Sequence, residues 1–264
     1  MEPEEDLGAI WLTKSNIFNK ALEKTAKEIA KVSMISVHLL IPAAGLGRRM
    51  GADRNKVLLS LMGQPIIAWT LLAAEAAEAI RWVGLIGQPA DQSALMAIAA
   101  DLGLTTPVQF IVGGDTRQAS VYNGLQGLPA DATRVLIHDG ARCLATPALF
   151  DRCAAALDDC QGLIAAIPVK DTIKVVDDQG TITATPARQG LWAAQTPQGF
   201  DVALLKQCHE KGVQMGWSVT DDAALFEQCH LPVQVVPGEE TNLKVTTPVD
   251  LTIAEFILKQ RLAT

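Results

Sequence analysis

From Val37 onward the chain alternates two rhythms of apolar residues. Short runs dominated by apolar side chains, at Val37–Ile41, Trp82–Ile86, Val108–Val112, Arg134–Ile137, Leu163–Pro168 and Val233–Val236, have the length of buried strands. Between them lie longer stretches in which apolar residues recur every three or four positions. These predict helices over Ile66–Ala79, Ala90–Ala100, Arg117–Gly127, Pro147–Leu157, Asp201–Lys211, Asp222–Gln228 and Thr247–Gln260. Alternation of this kind is the signature of βα units, in which a helix carries the chain back so that the next strand runs parallel to the last. The expected fold class is α/β, a doubly wound, mostly parallel but mixed sheet in a three-layer αβα sandwich. Most polar motifs fall just after a predicted strand, the end at which open α/β sheets bind ligands.

Two segments break the rhythm. Ile173–Val176 and Thr181–Thr185 flank Asp177-Asp178-Gln179-Gly180, and two β-prone runs about a glycine-containing turn read as a hairpin. Because it interrupts a doubly wound pattern, it is expected to project as a β-hairpin arm over residues 171–192. Residues 1–33 also differ from the rest. They open on Glu2-Pro3-Glu4-Glu5-Asp6, too acidic for a signal or transit peptide, and continue from Asn19 to Lys31 with Ala and Leu among Lys and Glu. Met34 directly precedes the first strand pattern. The expected division is an extension, 1–33, outside the fold, as translation from an upstream start codon would give, and a single domain, 34–264.

Composition narrows the function. A chain of 264 residues, 49% of them hydrophobic, suffices for one large core. A net charge of -7 opposes general affinity for nucleic acid, which is gripped by clustered Lys and Arg, so a site for an anionic substrate must gather its cations locally. Five cysteines without a C-x-x-C pair point to reduced thiols and a cytoplasmic location. The dipeptides Cys208-His209 and Cys229-His230 lack the spacing of a metal chelate. No stretch approaches the ~20 consecutive apolar residues of a membrane span.

The first strand runs into Pro42-Ala43-Ala44-Gly45-Leu46-Gly47-Arg48-Arg49-Met50-Gly51, followed by Lys56. Glycines let such a loop bring backbone N–H groups against phosphate oxygens, while Arg49 and Lys56 add charge. A dinucleotide-binding turn wants G-x-G-x-x-G, but Met50 occupies its third glycine slot, and no G-x-x-x-x-G-K-[ST] is present. A glycine-rich loop followed by Arg and then Lys suits nucleotidyl transfer, in which charge builds on an attacked phosphate.

Further motifs follow in order: Gly113-Gly114-Asp115-Thr116-Arg117-Gln118-Ala119-Ser120-Val121, His138-Asp139-Gly140-Ala141-Arg142, Pro168-Val169-Lys170-Asp171-Thr172-Ile173-Lys174, Arg188-Gln189-Gly190-Leu191-Trp192, Gln195-Thr196-Pro197-Gln198, Thr220-Asp221-Asp222 and Asn242-Leu243-Lys244-Val245-Thr246. With the loop, this series resembles the 2-C-methyl-D-erythritol 4-phosphate cytidylyltransferases of the non-mevalonate isoprenoid pathway, over roughly Val37 to Ile257. The resemblance implies an enzyme that joins CMP from CTP to a polyol phosphate.

It also implies roles for named residues. Those matching Arg49 and Lys56 stabilise the five-coordinate phosphorus, and Lys244 and Arg188 complete the catalytic set. Cytosine and ribose are read at Pro42, Ala43, Ala44, Gly45, Gly114, Asp115, Ser120 and Gly140, with Asp139 meeting the ribose and holding Mg2+. Arg142, Thr172, Arg188, Thr196, Thr220 and Lys244 bind the second substrate. In the family the arm crosses to a partner subunit, so a homodimer with shared sites is expected.

The chain departs from the family's pattern at Gly140, Cys143 and Asp222, and Asn55-Lys56-Val57 departs from a common Pro-Lys-Gln. None of these removes a catalytic group. Ribitol 5-phosphate, a polyol phosphate of similar size, remains an alternative second substrate. A catalytically silent nucleotide-binding module would not require Arg49, Lys56, Asp139 and Lys244 together.

Overall fold

A computed structural model describes residues 36–45 and 55–263. The expected extension, residues 1–33, and Arg49 both lie outside the described residues. The central strands are β1 (Val37–Pro42), β4 (Ile80–Gly87), β5 (Val108–Val112), β6 (Arg134–Ile137), β7 (Gly162–Pro168), β10 (Trp192–Asp201) and β11 (Gln234–Pro237). Two short hairpins, β2 (Ser60–Leu61) with β3 (Gln64–Pro65) and β8 (Val175–Val176) with β9 (Ile182–Ala184), stand apart from them. The helices are α1 (Ile66–Glu75), α2 (Gln92–Asp101), α3 (Arg117–Gln126), α4 (Pro147–Ala156), α5 (Val202–Met215), α6 (Asp222–Gln228) and α7 (Pro248–Ala263).

Among the described residues the main sheet has seven strands in the order β11-β7-β10-β6-β1-β4-β5. β10 runs antiparallel to both of its neighbours, and the other pairs are parallel. The mixed, doubly wound α/β sheet is therefore as expected. Chain order reverses between β1 and β6, which makes their carboxyl ends the topological switch point where such sheets hold ligands.

Successive side chains of a strand point to opposite faces, and β1 illustrates the consequence. Leu40 packs into a cluster with Val121 and Leu125 of α3, Leu205 of α5 and Phe226 of α6. Its neighbour Ile41 faces the other layer, towards Gly140 and Ile67 of α1. A second cluster on α7 joins Ala254 and Leu258 to Leu61, Ile66 and Val245. That contact brings the loop bearing Lys244 back to the sheet.

Several boundaries differ from expectation for local reasons. The first helix stops at Glu75, short of Ala79, while α5 continues past Lys211 to Met215 and ends at Gly216 in the left-handed conformation (φ 64°). The largest difference is β10, a ten-residue strand where no strand was expected. Its Gln195-Thr196-Pro197-Gln198 segment is buried yet polar, so apolar periodicity is silent there.

Candidate active site

The carboxyl ends of β1, β4, β5 and β6 open onto a cavity of about 400 Å³. Of the residues expected to form a site, Pro42, Ala44, Gly45, Lys56, Gly114, Asp115, Ser120, Asp139, Gly140 and Lys244 line it. Backbone and small side chains form much of its wall, interspersed with the charged groups of Lys56, Asp115, Arg117, Asp139 and Lys244.

The small-residue wall is built by backbone bonds. Beyond β1, the Ala43 N–H donates to the Ile86 carbonyl at 2.7 Å, extending the sheet ladder by one residue. The Lys56 N–H donates to the Gly45 carbonyl at 3.3 Å, and the Lys56 ammonium reaches the Val245 carbonyl at 3.2 Å. Ala43 is 1% exposed and lies beneath the wall. After β5, the Ser120 hydroxyl accepts from the Gly114 N–H at 3.0 Å and pairs with the Gly114 carbonyl at 3.1 Å. A methyl group at Gly114 would stand 2.6 Å from the Ala119 Cβ, so only glycine lets this loop lie against α3. Gly140, a departure from the family pattern, is similarly close: an added Cβ would meet Ile67 at 3.0 Å and Ile41 at 3.2 Å.

Asp139, just past β6, is the electrostatic centre. One carboxylate oxygen lies 2.8 Å from the Lys244 ammonium, and Arg117 and Arg142 each approach to 3.8 Å. Burial pushes this carboxyl upward, but Lys244, then Arg117 and Arg142, outweigh it and hold it below the usual carboxylate range. Arg117 is itself gripped by Asp222 at 2.8 Å. Burial works against its charge, yet Asp222 and Asp139 keep it raised above the ordinary arginine value.

A buried hydrogen-bond chain fixes the Asp139 backbone. Its N–H donates to the Thr196 hydroxyl at 3.0 Å, and that hydroxyl lies 3.0 Å from Nδ1 of His138. His138 Nε2 faces the Arg142 carbonyl at 3.1 Å and so carries the proton, which leaves Nδ1 to accept from Thr196. Burial pushes the His138 imidazole down to about 4, and the ring is neutral. Asn242 donates to the Thr196 carbonyl at 2.8 Å, while Arg142 donates to the Asn242 carbonyl at 2.7 Å.

The expected second-substrate residues are thus dispersed. Lys244 lines the cavity, whereas Thr196 is 4% exposed, with its hydroxyl engaged behind Asp139. Arg142 lies beside Asp139, and burial, opposed by that carboxylate, lowers its pKa. Thr220 is exposed ahead of α6, and Thr172 and Arg188 are exposed on the arm, where Arg188 donates to the Lys170 carbonyl. Arg117 lines the cavity, although no role was expected of it. Its signal was present, as the arginine of the Gly113-Gly114 motif one residue into a helix.

A cation-rich cavity at the switch point of a mixed, doubly wound sheet, with one central carboxylate, defines a nucleotidyltransferase of the open α/β class. The family model for IspD, 2-C-methyl-D-erythritol 4-phosphate cytidylyltransferase, matches residues 37–260. The chain belongs to this family. It is 69% identical over 225 residues to the 2-C-methyl-D-erythritol 4-phosphate cytidylyltransferase of Crocosphaera subtropica, covering 85% of this chain and 99% of that protein. Its counterpart from Synechocystis is 67% identical over 227 residues, with 86% and 99% covered. Among solved structures, 4-diphosphocytidyl-2C-methyl-D-erythritol synthase from Anaerococcus prevotii superposes with a TM-score of 0.76 at 30% identity, covering 86% of this chain and all (100%) of that one. The Thermus thermophilus cytidylyltransferase gives 0.69 at 31% identity, over 85% and 100%.

Proposed function

We propose that the chain transfers CMP from CTP to 2-C-methyl-D-erythritol 4-phosphate. An oxygen of the second substrate's phosphate attacks the α-phosphorus of CTP, the bond to the pyrophosphate oxygen breaks, and pyrophosphate leaves. The observation that carries this reading is the convergence of Lys56, Lys244, Arg117 and Asp139 on one cavity otherwise lined largely by backbone and small side chains. A wall of that kind accepts a pyrimidine and crowds a purine. The nucleotide is read at Pro42, Ala44, Gly45, Gly114, Asp115, Ser120 and Gly140, with Ala43 supporting them from beneath.

The attacking group is already ionised, so no general base is needed. Its problem is to approach a second anion. Lys56, with Arg49, neutralises charge growing on the α-phosphate, because fixed cations need little reorganisation as that charge develops. Lys244 orients the incoming phosphate, and clamping both reactants can contribute roughly 7 to 11 kcal/mol. Arg142 and Thr196 act from behind by holding Asp139.

Asp139 would hold Mg2+. The donor set fits, since this ion binds through one or two carboxylates plus substrate phosphates, and Asp139 is a carboxylate facing the cavity with its charge retained. When bound, the ion supplies positive charge to the CTP phosphates.

The arm completes the second-substrate site of a partner copy in a homodimer, through Thr172 and Arg188, with Thr220 contributing at the rim. Exposed Val175, Val176 and Ile182 (47%, 55% and 58%) support this reading, because such a stripe gains by being covered. No helix among the described residues is long and apolar enough to cross a membrane, and the enzyme works in the cytoplasm. The family match begins at residue 37.

The test offers CTP and Mg2+ with either methylerythritol phosphate or ribitol 5-phosphate and follows pyrophosphate release. Turnover with the first acceptor and little with the second is expected. The reverse preference would overturn the choice of acceptor, and no turnover with either would overturn the activity.

A further inference from the structure

Asn55 has no part in the chemistry above, yet it is only 3% exposed and its side chain makes hydrogen bonds in three directions. Its Oδ1 accepts from the Val57 N–H at 3.2 Å and so caps the single 3-10 turn Lys56–Leu58. Its Nδ2 donates to the Ala43 carbonyl under the nucleotide wall and to the Asp91 carboxylate at 2.8 Å. Asp91 closes the 3-10 turn Pro89–Asp91 that follows β4. One amide therefore ties together the loop after β1, the turn after β4 and the turn that carries Lys56.

Such a tie matters because Lys56 works at the end of a flexible stem. A lysine side chain has four rotatable carbons and about 2 kcal/mol of rotamer entropy, so it delivers its charge accurately only where its origin is fixed. A single 3-10 turn has little rigidity of its own. The direct backbone link from Lys56 to Gly45 is long, at 3.3 Å. We infer that Asn55 is a positioning residue for the reaction, holding the Lys56 turn against the nucleotide wall through its bonds to Ala43 and Asp91.

The chemistry selects an amide. Two acceptors, a carbonyl and a carboxylate, face Nδ2, and one donor faces Oδ1. A carboxylate at this position would keep the cap but lose both donated bonds and stand against Asp91. This inference rests on Lys56 being the catalytic cation, and the test separates the two.

Steady-state kinetics with CTP and methylerythritol phosphate would be measured for Asn55→Ala, Asn55→Asp, Asp91→Ala, Lys56→Ala and the double variant Asn55→Ala/Lys56→Ala, each first checked for folding by circular dichroism. Asn55→Ala should lower kcat by roughly 10- to 100-fold, as a misplaced catalytic group does, with the KM of the polyol phosphate little changed. Asn55→Asp should fall as far. Asp91→Ala, which removes one bond at a half-buried position and carries the test if the Asn55 variants do not fold, should show a smaller fall in kcat alone. In the Lys56→Ala background, loss of Asn55 should have no further effect on kcat. Wild-type kcat in folded Asn55→Ala, or in Asp91→Ala where it carries the test, would overturn the inference, as would an equal loss with and without Lys56. Wild-type turnover in Lys56→Ala would overturn the role of Lys56 itself, and this inference with it.

Discussion

The two halves of the candidate site are built in opposite ways. Around Asp139 the polar groups are tied together: Thr196, His138, Asn242 and Arg142 form a continuous hydrogen-bonded chain behind one carboxylate. On the arm, Thr172 and Arg188 are exposed and the hairpin turns apolar side chains outward. The turn itself is well made, since Asp177 Oδ1 accepts from the N–H groups of Gln179 and Thr181 at 3.0 and 2.8 Å and Gly180 supplies the positive φ of 80°. The base is anchored where β7 pairs with β10 and the Val169 N–H donates to Leu191. The arm is thus ordered in itself and lacks only a covering surface. The contrast teaches that the described nucleotide half is braced by contacts within one chain, whereas the proposed acceptor half leaves Thr172 and Arg188 exposed, as the proposed sharing with a second copy would require.

The largest expected effect breaks the buried half. Asp139→Asn removes the proposed metal ligand and leaves Lys244 and Arg117 without their shared counter-charge. Several kcal/mol of transition-state stabilisation corresponds to a fall in kcat of about a thousandfold, and turnover in saturating Mg2+ checks it. A variant within tenfold of wild type would remove Asp139 from the centre of the site.

Thr196→Val, nearly isosteric, sharpens the same half. It leaves the Asp139 N–H and His138 Nδ1 without their partner, at a cost of about 1–3 kcal/mol for orphaned buried groups. A melting temperature lowered by several degrees together with a reduced kcat is expected. If KM for the polyol phosphate rose while stability and kcat held, Thr196 would be a direct substrate contact instead of a support.

The arm should respond differently. Ile182→Asp places a charge on the exposed stripe and is expected to leave the unfolding free energy of the isolated chain within about 0.5 kcal/mol of wild type, as exposed substitutions do. In sedimentation the proposed dimer should dissociate, and the KM of the acceptor should rise without a matching change for CTP. A fully active monomer would show that the arm is not shared.

How much of this was legible follows the same division. Pattern alone marked the parallel strands, because β1, β4 and β6 are buried on both faces and read as runs dominated by apolar residues. β10 was invisible for a physical reason. Gln195 exchanges hydrogen bonds with the Glu239 backbone, and Gln198 accepts from the N–H groups of Asp222 and Ala223, so its buried side chains are spent on polar partners. Motif order brought Lys56, Asp139 and Lys244 forward, but could not say that Thr196 points behind Asp139 or that Arg117 bridges Asp139 and Asp222. Those facts depend on which strand lies beside β6, and that is long-range information.

The smallest effect tests whether stability and catalysis can be separated outside both halves. Glu75, at the end of α1, accepts from the Thr105 and Thr106 N–H groups at 2.9 and 3.0 Å and from the Thr105 hydroxyl, fastening the chain just before β5. Burial pushes its carboxyl up slightly, but the Thr105 bonds and then the Thr106 bonds outweigh it and lower the pKa from 4.5 to about 2. A carboxyl whose folded pKa is depressed binds fewer protons than in the unfolded chain. Its contribution is therefore complete above pH 4.5 and is lost as the pH falls towards 2. Because the group is only half-buried and its charge is screened by solvent, Glu75→Gln should cost only about 1 kcal/mol at pH 7. The deficit should shrink as thermal unfolding is followed from pH 5 to pH 2.5, with kcat at pH 7 unchanged. A deficit that stayed constant with pH would mean that the charge on Glu75 contributes nothing, and a change in kcat would mean that the rim of the sheet communicates with the cavity at its carboxyl end.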